Sequence, residues 1–131
     1  SRSIEIYTVK KFKDYTYADL TNAYTAAMQG YQAVGQSKDR TTAAAKLNEA
    51  VTIWKQVLTE SNPNDKKARV NDKVTSLCYA NLAHAHVWLN DFDTAEMYMN
   101  QAISGGGKFK RAMNGLAGFI QERRLRYNTN F

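Results

Sequence analysis

The chain has 131 residues, 44% of them apolar, with one proline, one cysteine and a formal charge of +6. That size and apolar content suit one domain with its own core, and a lone cysteine excludes an internal disulfide and argues against a thiolate metal cluster. No run approaches the roughly eighteen apolar residues of a membrane-spanning helix, and the N-terminus lacks the apolar centre of a signal peptide.

Residues 1–14 read as an extended arm or a linker from an upstream region, because Ile4 and Ile6 alternate and the pattern then fades. The chain starts at Ser1, so an upstream segment is expected and the compartment stays open. Residues 15–131 read as a helical domain. A first helix is predicted from Thr16, with Asp19 three residues on as a capping box. Its apolar stripe is Leu20, Tyr24, Ala27, Tyr31 and Val34, and Gly35 is the expected stop. A second helix over 39–58 turns Ala43, Leu47, Ala50, Val51, Trp54, Val57 and Leu58 to one side. Pro63, with Asn62 as cap, predicts the start of a third helix running to about Leu89, apolar on two sides. Asp93 and Glu96 predict a box-like cap for a fourth helix carrying Ala95, Met99, Ala102 and Ile103, and three glycines at 105–107 stop it. A fifth helix is predicted over 109–126, with residues 127–131 frayed.

The fold class expected is therefore all-α, about five antiparallel helices joined by short turns. Within 76–104 a large residue, Tyr79, is followed by Leu82, Ala83 and His86, then by a turn, Ala95, Met99 and Ala102. This alternation of large and small side chains resembles a tetratricopeptide repeat. It departs from that family at His86, where tyrosine is usual, and at the glycines, where proline is usual. Residues 17–58 resemble a looser copy. The resemblance implies a right-handed stack of helix hairpins closed by a solvating C-terminal helix. The order "AVTIWKQVL", "YANLAHAH", "DTAEMYMNQAI" is also similar to the helical part of uncharacterised bacterial cell-envelope lipoproteins. That likeness implies the envelope or periplasm as location, and without it the cytoplasm is expected.

His84 and His86 invite a metal reading, but two residues apart on a helix they point about 200° from each other. No metal, cofactor or catalytic residue is expected. His86 is read as a packing residue with one ring nitrogen hydrogen-bonded. On the other face, Leu77, Ala80, Asn81, His84, Val87 and Trp88 match the positions that line the inner surface of tetratricopeptide stacks. The resemblance implies a groove there for a peptide or partner domain, with Trp88 as anchor, and the alternative is that another segment covers this face as core. Ala80 and His84 stand where the family's carboxylate-clamp members carry lysine and asparagine, which speaks against that mode of recognition.

From residue 108 onward six basic residues face one acid, Glu122. The main expectation is a non-enzymatic protein-interaction scaffold. One rival is an anionic-surface contact, nucleic acid or membrane, through Lys108, Lys110, Arg111, Arg123, Arg124 and Arg126, with Phe109 and Tyr127 for stacking. The other is a structural domain packing on a missing N-terminal half of the same protein.

Overall fold

The computed structural model describes Ile6, residues 17–105 and residues 109–130. Apart from Ile6, the arm lies outside the described residues, as do Thr16 and Lys108. Ile6 is half-buried and packs against the hydrophobic core. The described chain is all-α: α1 (Tyr17–Gln32), α2 (Arg40–Leu58), α3 (Asp72–Trp88), α4 (Phe92–Ser104) and α5 (Lys110–Asn130). Each helix packs on its neighbours in sequence, and α3 also touches α5.

α1 and α2 form the first pair. α1 buries Leu20, Ala23, Ala26, Ala27 and Tyr31, whereas Tyr24, expected on this stripe, faces outward. Small side chains explain the rotation. A methyl group on Gly30 would stand 2.8 Å from Leu47 Cγ and 3.2 Å from Leu47 N, so the alanine and glycine side of α1 is the one that lets the α2 backbone approach. Gly35 does not end the helix by a left-handed turn. A π-helical turn over Ala33–Ser37 intervenes, and Lys38 takes the left-handed conformation at φ 52°. Asp39 then caps α2 through Oδ1, which accepts from Thr42 N at 3.0 Å, and Oδ2, which accepts from Thr42 Oγ1 at 2.6 Å. These bonds hold its carboxyl below the usual range. The buried face of α2 is the one expected from the sequence.

α3 starts nine residues later than Asn62 and Pro63 suggest. Residues 62–70 form a closed loop in which Asn62 N–H donates to Val70 O at 2.8 Å and Asp65 Oδ1 accepts from Lys67 N at 2.9 Å. Val70 plugs into the core. The cap is Asn71, whose Oδ1 accepts from Lys73 N and Val74 N. Proline permits a helix start, but a side-chain acceptor at the right register secures one.

α3 and α4 form the second pair. Asn90 is left-handed at φ 60°, Asn90 N–H donates to Val87 O and Asp91 N–H to His86 O, which is a Schellman ending with asparagine in the usual glycine place. α4 buries Phe92, Ala95, Met99 and Ala102. α5 docks Met113, Leu116 and Ile120, and its backbone stays helical through Asn130 instead of fraying after Arg126.

Gly30 and Gly118 are both helical glycines, yet only Gly30 has a neighbour where a methyl group would go. Gly30→Ala is expected to destabilise the fold by about 1–2 kcal/mol, overpacking against Leu47 outweighing the gain in helix propensity. Gly118→Ala is expected to stabilise it by about 0.5–1 kcal/mol. Urea denaturation of the two variants measures both signs.

Candidate interaction surface

The site expected on α3 is interior. Leu77, Ala80, Asn81, His84 and Val87 are each 2% exposed or less, and all eight residues 80–87 are buried. They are core and do not line an open groove. The physical reason lies in the number of neighbours: α3 has α2, α4 and α5 packed on it, and Tyr31 of α1 meets the His84 ring edge-on at 5.8 Å. Sequence periodicity showed two apolar sides, but residues 74–90 contain no Asp, Glu, Lys or Arg. An uncharged helix of that length is one that solvent does not reach, and that signal identifies α3 as central.

The two histidines face different helices. His84 meets Tyr31, and His86 stacks on Tyr98 of α4 at 5.6 Å, with Tyr98 in turn stacked near Tyr79. His86 packs between helices as expected, but neither ring nitrogen has a hydrogen-bond partner among the described residues. Asp91 Oδ2 stands 3.5 Å from Nδ1, an ion-pair distance and too long for a good hydrogen bond. Burial pushes the His86 pKa down; Asp91 opposes that shift, and Lys55 adds to it. Among the described residues no three His, Cys, Asp or Glu side chains gather as a metal-ligand set. Cys78 is sealed in the core, and burial raises its thiol pKa to about 12.

Trp88 is half-buried at the end of α3. Its ring packs against Phe119 at 5.8 Å, the Arg123 guanidinium lies over it at 4.5 Å, and its carbonyl accepts from Arg40 Nη2 at 3.2 Å. Arg123 Nη2 also donates to Asn90 Oδ1 at 3.2 Å. Arg124 binds Asp93 Oδ1 at 3.1 Å and, with its other terminal nitrogen, Glu96 Oε1. Asp93 and Glu96 do not form a capping box: α4 starts at Phe92 with Asp91 at the cap position and no side-chain bond from it, so Asp93 lies within the first turn, and both carboxylates accept from the Arg124 guanidinium instead. Arg126 pairs with Glu122 at 2.7 Å.

The basic C-terminal segment is thus not one cationic face. Arg123 and Arg124 are tied to the α3–α4 turn, Phe109 is buried, and Tyr127 packs edge-on against Phe92 at 5.8 Å. Lys110 and Arg111 are exposed at the other end of α5.

The face that the sequence reading passed over is the outside of α1. Residues 20–37 are as free of Asp, Glu, Lys and Arg as the interior stretch of α3. Here the outer half is open to solvent: Tyr24 is 39% and Met28 is 37% exposed, one helical turn apart, and Thr21, Asn22, Thr25, Gln29 and Gln32 complete a neutral surface. No family model, no curated protein and no solved structure matches this chain.

Two outcomes follow from the buried groups. Cys78 is expected to resist alkylation near pH 8 until the protein unfolds, because almost none of a thiol with a pKa of about 12 is ionised there; mass measurement with and without urea reads this. For His86 the folded pKa lies below the ordinary 6.5, so the unfolded chain binds the extra proton as the pH falls beneath that value. Its contribution is fully present above pH 6.5 and is lost progressively below it. The fall in denaturation midpoint from about pH 7 to about pH 5 is expected to be smaller in His86→Gln than in the parent.

Proposed function

We propose that this chain is a non-enzymatic protein-interaction module whose docking surface is the outer face of α1. One observation carries the reading: two helical stretches lack charge, the one in α3 is buried without a break over 80–87, and the one in α1 is covered on only one side. Solvent-facing helix surfaces ordinarily carry charge, whereas the centres of protein interfaces are depleted of it and enriched in tyrosine and methionine. Tyr24 and Met28 stand at the middle of such a patch.

The mechanism is rigid display. α1 is held against α2 at the close Gly30 approach, so the face is in place before a partner arrives and little ordering is needed on binding. The sequence resemblance of the second helix pair to a tetratricopeptide repeat supports the same class of function. The likeness to helical parts of envelope lipoproteins favours a partner within the same polypeptide or the same envelope assembly.

The test is Tyr24→Glu combined with Met28→Glu. Both side chains point outward, so helical content and thermal midpoint should stay close to those of the parent. A crosslinker at position 28 in cells of the source organism is expected to trap one dominant partner, and the double variant should reduce that product about tenfold, the effect of about 1.4 kcal/mol. An equal yield from the variant, or the same product from a crosslinker on the exposed side of α2 at Asn48, would refute the assignment.

A further inference from the structure

Arg40 and Arg123 come from helices far apart in sequence, yet both are fastened to one residue. Arg40 Nη2 donates to the Trp88 carbonyl, and Arg123 lies over the Trp88 ring while Nη2 donates to Asn90. All of these acceptors are neutral. Arg69, Arg124 and Arg126 each have a carboxylate within ion-pair distance. Among the described residues Arg40 and Arg123 have none, and Arg123 Nε has no acceptor there either. Arginine pKa values resist displacement, but burial and the neighbouring charges of Arg40 and Arg126 press that of Arg123 downward, with only Glu122 acting the other way. Two like charges are therefore gathered at the end of α3 with no carboxylate at ion-pair distance among the described residues, and the partial negative charge of the helix C-terminus offsets only part of that cost.

We propose that the Arg40 and Arg123 guanidiniums beside Trp88 form a docking site for a carboxylate-rich peptide segment of a partner protein. A planar carboxylate accepts from a guanidinium fork in bidentate fashion, and a half-buried tryptophan flanked by arginine has the composition of an interface hot spot. A nucleic acid or an anionic membrane fits less well. Such polyanions call for a run of available cations along a surface, whereas here Arg124 and Arg126 already hold Asp93, Glu96 and Glu122. The proposal rests on the interaction-module reading but uses a different surface from α1.

An oligo-glutamate peptide titrated into the folded chain, with the Trp88 indole N–H followed by NMR, tests it. Saturable displacement of that signal is expected, and Arg40→Gln with Arg123→Gln should weaken the Kd about tenfold, the equivalent of about 1.4 kcal/mol. Lys110→Gln with Arg111→Gln removes the same charge from exposed positions of α5 and should change the Kd less than about twofold if the site is local. If loss of Arg123 unfolds the chain, Arg40→Gln alone, at an exposed position, should still weaken binding about threefold. No movement of the Trp88 signal, or equal weakening by both pairs of substitutions, overturns the site. So does a duplex DNA or heparin probe that binds more tightly than the peptide and loses more on the Arg40 and Arg123 changes. A negative result here beside a positive crosslink at position 28 removes this site alone, and the reverse pattern removes the α1 face alone.

Discussion

The fold is organised around α3, whose middle is closed to solvent. Eight successive residues of α3 are buried, which is possible because alanines at 80, 83 and 85 and Cys78 let neighbouring backbones come close while Leu77, Leu82 and Val87 fill the spaces between them. The cost is polar: Thr75, Asn81, His84 and His86 are carried inside with the apolar groups, and each needs a partner or a stacking surface. Thr75 shares a 2.6 Å hydroxyl contact with Ser61, and the two imidazoles lie against Tyr31 and Tyr98. Those tyrosines come from α1 and α4, so the polar content of α3 helps to fix which helices surround it.

Much of this was legible in the residues and some of it was not, for reasons that differ by element. The α2 face is legible because its apolar stripe is regular, and the structure adds Asp39 as its cap. The sequence misleads at the start of α3 because Pro63 permits a helix there, whereas the 62–70 loop closes on its own hydrogen bonds and Asn71 supplies the cap. Tyr24 was placed inside because it falls on the right period, whereas close contact at Gly30 turns α1 by its small residues instead. The inner groove failed because periodicity tells which residues share a side and not how many neighbours that side has. Absence of charge was the better guide, in α3 as an interior and in α1 as a face that is only half covered.

The arginines of α5 make a related point about charge. Counting suggested a basic strip, but adjacent residues do different work. Arg124 bridges two carboxylates of α4 and its Cζ lies 5.5 Å over Phe92. Arg123 spreads over an indole and takes an amide oxygen. A guanidinium is flat enough to stack and forked enough to bridge, so its position in the fold decides whether it is a solvent charge or a fastener.

Adjacent packing along the chain also has a kinetic side. Contacts between helices that follow one another close short loops, and such topologies are reached rapidly and can open from their ends. The touch between α3 and α5 spans the whole of α4, as that between Tyr31 and His84 spans α2. The α5 contact ties the last helix to the middle of the domain, so that α5 cannot peel away without uncovering the central helix, and the array gains a cooperative clasp at its C-terminal end.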